Sequence, residues 1–255
     1  MKQPEFIPGI YNYCDTWCER CLLTARCHSF QIKQEEPVLA NQSPVDKGNL
    51  LVKQLTEALN LTKQHLDKLR VQRNAPAVDE PAEAEKQALE QRATRQRQQT
   101  KNHPVAQLSH AYLHTSGEWL RNETDLLENA GEQQLRLLEM GMSEYDESIT
   151  TLNALKTAWE TIKWYRTLIP VKAMSALRIL ADATTDPYLN NYYLGKAKLV
   201  LVCIDRSLSA WQTMLESYPE KTDEALDALS LLTQLRREVE TLFPDARAFV
   251  RPGLD

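Results

Sequence analysis

DPYLNNYYLGKAKLVLVCIDRSLSAWQTMLESYP, residues 186–219, is the stretch that decides the fold. Asp186-Pro187 reads as an N-cap followed by a first-turn proline, and the segment closes before Pro219, which cannot continue a helix. In its middle, Leu199 to Ile204 is apolar on every side. Such a run is far shorter than the roughly 20 residues of a membrane span. A helix that is apolar all round is a buried one, so this segment is predicted to be the centre of a helical bundle.

Three further helical segments flank it. One runs from about Pro104 to Met140, with a break expected at Gly131. The next runs from Ser143 to Ala183, where Pro170 predicts a kink or break because proline lacks the N–H and clashes one turn back. The last, Thr222 to Phe243, is closed by Pro244. Trp119, Trp159, Trp164 and Trp211 fall one or two per segment in all but the last, as core anchors do. The connections at Gly141, Thr184–Thr185 and Pro219–Lys221 are short, which favours antiparallel neighbours. Glycine is scarce, at 7 in 255 residues, and alternating β-branched runs are missing. The expectation is an all-α fold, with an antiparallel helical bundle over residues 103–255 and an N-terminal four-cysteine metal-binding module.

Upstream of the bundle, residues 74–102 carry no aromatic and almost no large apolar side chain, and read as an exposed or disordered charged segment. Residues 47–73 read as a helix started by Asp46, with leucines recurring at helical spacing. Residues 31–46, polar with two prolines, read as a linker. Residues 1–30 hold YNYCDTWCERCLLTARCHSF, residues 11–30, in which Cys14, Cys18, Cys21 and Cys27 are spaced C-x3-C-x2-C-x5-C. The remaining cysteine, Cys203, lies in the central apolar run and reads as an inert buried thiol.

Whether four such cysteines form disulfides or hold a metal depends on compartment. The N-terminal MKQPEFIPGIYNY has no apolar core for a signal peptide, which predicts a cytoplasmic protein with reduced thiols. Thiolates crowded this closely repel unless a cation sits among them, so a metal is expected, with all four cysteines as ligands. Structural zinc sites bring together two separated knuckles, whereas a compact single loop favours a [4Fe–4S] cluster; zinc stays as the alternative. Arg20, Arg26 and His28 could offset the charge of a tetrathiolate site, and Tyr11, Tyr13, Trp17 and Phe30 could dock the module on the bundle.

The spacing Cys18-x2-Cys21-x5-Cys27 resembles that of auxiliary iron–sulfur sites in SPASM-type domains. Cys14-x3-Cys18-x2-Cys21 also resembles the C-x3-C-x2-C of radical S-adenosylmethionine enzymes. Those enzymes continue with alternating strands and helices and need a cluster iron without a fourth cysteine, so that assignment is set aside. The cysteine window, together with WYRTLIPVKAMSAL at residues 164–177, resembles segments of uncharacterised bacterial helical proteins with an N-terminal four-cysteine motif. That group has no assigned activity, so the resemblance implies a shared fold and no mechanism.

A second candidate metal site is His110, His114 and Glu118, spaced i, i+4, i+8. At about 100° per residue they share a face with His103, Gln107, Arg121 and Asp125, which reads as a solvated stripe. Asp205, Arg206 and Lys196 read as structural ion pairs beside the buried run, or as a polar pocket with Tyr192, Tyr193, Trp164 and Lys172. Glu160, between Lys156 and Lys163 at helical spacing, reads as a surface pair.

The chain is 42% hydrophobic and 25% charged, which suits one large or two small domains. Its net charge of −5 argues against a nucleic-acid partner, and no stretch is long enough to span a membrane. No P-loop, dinucleotide fingerprint or nucleophile elbow is present. Three functions fit: a metal protein in electron transfer or binding to another protein, a metal-dependent enzyme with its active site inside the bundle, and a zinc-stapled scaffold.

Overall fold

The structure is a computed structural model that describes residues 5–35, 83–180 and 186–255, with isolated helical positions between 52 and 68. The helices are α1 His28–Glu35, α2 Glu83–Asn102, α3 Pro104–Asn122, α4 Leu126–Glu139, α5 Tyr145–Ala176, α6 Pro187–Ser217 and α7 Thr222–Leu242. Among the described residues there is no strand, so the fold is all-α. No helix among them is long and apolar enough to cross a membrane.

The chain divides into two compact units, Met1–Cys27 with Ala93–Asp255, and His28–Arg92. In the second unit, α1 extends five residues into the stretch read as a linker; the rest of 31–46 lies outside the described residues. The described positions between 52 and 68 are all helical. In residues 83–102 the segment read as exposed is one helix with no buried residue, its first turn carrying Glu83 and Glu85 as the helix dipole favours.

In the first unit, α6 packs against α5 and α7, and α3 packs against the same two, closing a ring of contacts; α4 lies against α5. The ring encloses Ile162, Tyr165, Ile169, Leu199, Val200, Leu201, Cys203, Ile204, Trp211, Leu232 and Leu235, all buried. Trp119 stands edge-on to Trp211 at 4.8 Å and beside Trp159 at 5.2 Å. The Trp211 indole N–H donates to the Tyr112 hydroxyl at 3.2 Å, so two large aromatics enter the core without an orphaned group between them. Burial first, tempered by that bond, pushes the Tyr112 phenol up to about 12.

Local signals account for two of the helix ends. His103 caps α3 by accepting the Val105 N–H at 3.2 Å, with Pro104 in the first turn. Gly141, at φ 64, ends α4 by accepting the left-handed turn. Two expectations fail. Pro170 does not break α5, which runs through it: Ile169, Pro170, Ala173 and Ala176 are all buried, and that packing outweighs a missing hydrogen bond. Gly131 lies inside α4, and the break falls at Glu123–Asp125 instead. There Glu123 turns to meet Lys221 at 2.6 Å, and the Leu126 carbonyl accepts from the Tyr218 hydroxyl at 3.4 Å.

Candidate functional site

The four-cysteine segment is made of short turns. A 3₁₀ turn starts at Cys18, with Cys21 as its C-terminal flank, and a second, Thr24–Arg26, ends on Cys27. The Cys21 N–H bonds the Cys18 carbonyl at 3.2 Å and the Cys27 N–H the Thr24 carbonyl at 3.2 Å. The segment's start is tied down by the Ile7 N–H on the Arg26 carbonyl and by Arg26 Nε on the Glu5 carbonyl, both at 3.0 Å. None of the five cysteines is in a disulfide; four are partly exposed and Cys203 is buried.

Leu23 N–H points at Cys21 Sγ at 3.4 Å, and the Cys14 thiol points at the Tyr11 carbonyl at 3.7 Å as a donor. Amide-to-sulfur bonds favour the thiolate form and tune metal–sulfur sites. At Cys14, burial is the stronger effect and raises the thiol, with Asp15 and Cys27 adding to the rise and Lys172 opposing it. Thr16 has φ 56, the one positive φ of a non-glycine among the described residues. For a β-branched residue that conformation is strained, and surrounding contacts must hold it.

Those contacts centre on Asp15. Its carboxylate accepts the Tyr165 hydroxyl at 2.6 Å and the Arg206 guanidinium at 2.6 Å, and Arg206 also donates to the Tyr165 oxygen at 2.5 Å. The Asp15 carbonyl accepts the Trp164 indole N–H at 3.0 Å, and its Oδ1 accepts the Trp17 N–H at 3.3 Å. One residue of the cysteine loop is thereby latched to both α5 and α6. Burial, then the bond to Asp15, raises the Tyr165 phenol, which stays a neutral donor.

Around the latch, Trp17 stacks on Trp164 at 5.1 Å, and the Arg20 guanidinium lies 4.0 Å over Trp17 while it pairs with Glu160. Glu160 thus serves a long-range contact rather than a pair along its own helix. Tyr13 meets Phe249 at 5.4 Å and fills the space that the missing side chain of Gly195 leaves on α6. Tyr11, one of the four expected docking aromatics, is exposed instead. Lys196, 6% exposed, donates to the Asn12 carbonyl and sits 4.6 Å over the Tyr192 ring. Burial, then Lys172 nearby, lowers its ammonium to about 8.

Beside the loop lies an open cleft of about 960 Å³. Its lining includes Cys14, Asp15 and Cys21 of the loop, Tyr165 and Arg206, and small residues of α5 and α6 such as Ala158 and Ala210. The arginines reaching it are occupied: Arg20 by Glu160, Arg206 by Asp15 and Arg251 by Asp255.

The donor set, four thiols with an amide on Cys21, fits a soft metal. Among the described residues, however, no three His, Cys, Asp or Glu side chains gather around one point where an ion could sit. His110, His114 and Glu118 lie exposed along α3. Asp205 takes part in ion pairs with Arg247 and Arg236, as the structural reading expects, whereas Arg206 belongs to the latch. Cys203 is fully buried, and burial raises its thiol. The latch leaves no signal in the sequence, because nothing local ties Asp15 to residues 150 and 191 positions away.

No protein-family model, no curated protein and no solved structure matches this chain.

Proposed function

We propose that this protein holds a metal centre on Cys14, Cys18, Cys21 and Cys27, a [4Fe–4S] cluster before zinc, and works in electron transfer to another protein. The helices of residues 103–255, arranged as an antiparallel bundle, form the platform. The observation that carries the reading is the amide-to-sulfur bond at Cys21, in a loop that brings four partly exposed cysteines, none of them in a disulfide, within fourteen residues. A bound cluster would supply one-electron chemistry. The chain's own part is to hold the loop: Asp15, Trp17 and Arg20 fix its base, and the turns at Cys18 and Cys27 draw the sulfurs inward when the ion arrives. The partly exposed thiols leave the centre within reach of a partner.

A second reading rests on the cleft. Its size is that of a small-molecule site, and it touches Cys14 and Cys21, so a metal-dependent enzyme would place its substrate there rather than in the bundle core. A zinc-stapled scaffold is the third outcome of the same test.

The test is elemental analysis with an absorption spectrum of anaerobically purified protein. Brown protein with about four irons per chain is expected, lost in Cys18→Ser and kept in Cys203→Ser. Colourless protein with about one zinc turns the reading to the scaffold. Protein without stoichiometric metal, or with two disulfides formed under reducing lysis, overturns the metal centre.

A further inference from the structure

The connection between α4 and α5 presents apolar side chains to solvent in a fixed geometry. Leu135 is 61% exposed, Met140 62%, Met142 71% and Tyr145 68%, with Ile149 exposed one turn after Tyr145 on the same face of α5. The turn is held rigidly. Gly141, at φ 64, donates to the Leu138 carbonyl at 3.0 Å, and Met142 donates to the Leu137 carbonyl at 2.8 Å, the paired bonds of a Schellman ending. The Ser143 and Ser148 hydroxyls meet at 3.0 Å across the start of α5. Among the described residues α4 has α5 as its main packing partner, and only Leu126 and Ala130 of α4 are buried. Its C-terminal half therefore ends in a preorganised apolar tip.

The rim of that tip has one sign. Glu139, Glu144, Asp146 and Glu147 are exposed around it. The single Lys or Arg between residues 132 and 149 is Arg136, and Glu132 already holds it at 3.0 Å. Large patches of exposed apolar surface rimmed by polar groups mark interaction sites, and methionine adapts to varied partners. The charge selects among occupants. A second copy would bring the same acids face to face, and an anionic bilayer would be repelled in the same way. A cationic amphipathic helix satisfies both the apolar tip and its rim.

We propose that the α4–α5 tip, centred on Met140 and Met142, docks a basic amphipathic helix of a partner protein. The probe is a short Leu/Lys peptide of helical periodicity, titrated into the full chain carrying ¹³C-labelled methionine methyls. The signals of Met140 and Met142 should shift saturably while that of Met214, buried in the core, stays in place. A Leu/Glu peptide with the same leucine positions should leave all of them unmoved. M140S/M142S should weaken binding by at least about tenfold, as loss of a central anchor does. Glu144→Lys with Glu147→Lys should weaken it as well, which covers the case that the methionine variant misfolds. The proposal is overturned if the Leu/Lys peptide gives no saturable shift, if the Leu/Glu peptide binds equally, or if neither variant changes the affinity. It is equally overturned if the protein dimerises through this tip or binds phosphatidylserine vesicles through Met140 and Met142.

Discussion

Replacing Asp15 by alanine should release the cysteine loop from the helices without unfolding them. The side chain of Asp15 is 19% exposed, and it accepts the buried-side hydroxyl of Tyr165 at 2.6 Å. A hydrogen bond to a charged group contributes about 1.5–3 kcal/mol. The pair with Arg206 adds less: that guanidinium is 53% exposed, and water screens it to about 1 kcal/mol at most. Together the loss is about 2–4 kcal/mol, which shifts the opening of the loop by roughly thirtyfold to a thousandfold. Amide hydrogen exchange reads this directly. Protection of residues 17–27 should fall by that factor, while the interior of α5, residues 155–169, keeps its own. Asp15→Ala and Tyr165→Phe should also be coupled by about 1–2 kcal/mol in a double-mutant cycle, since each removes the same bond. Equal loss of protection in the loop and in α5 would refute the latch as a local device, and so would additive effects of the two substitutions.

Gly195→Ala should drive a methyl group into the Tyr13 ring and crowd Phe249, costing about 1–3 kcal/mol and lowering the thermal midpoint; an unchanged midpoint would mean the ring swings away freely. Lys196 is the pH-sensitive group of the region. Its folded value, lowered to about 8 by burial and then by Lys172, lies below the ordinary 10.5, so the unfolded chain binds more protons between those values. Stability should therefore rise from about pH 8 to 10.5, and Lys196→Met should flatten that slope in denaturant titrations. Trp211→Ala empties a fully buried site and strands the Tyr112 hydroxyl, so it should cost about 3–5 kcal/mol in chemical unfolding, with Trp211→Phe costing less.

The all-α class, the ends of α6 and α7 and the buried run at residues 199–204 were legible in the sequence. Each depends on chemistry within a few residues: proline ending a helix, a cap starting one, an apolar stripe that must leave water. Of the six residues in that run, Leu199, Val200, Leu201, Cys203 and Ile204 are buried, and Val202 alone is partly exposed. The four cysteines also stand out in the sequence, since they are close in the chain, but among the described residues no three of them gather around one point. Where local rules met tertiary packing they lost: Pro170 stays helical because its neighbours are buried, and the break after α3 follows Lys221 rather than Gly131. The Asp15–Tyr165–Arg206 latch and the Arg20–Glu160 pair could come only from the tertiary structure. A charged side chain has many possible partners of opposite sign along the chain, and only the packing of α5 against α6 brings Tyr165 and Arg206 to the same carboxylate.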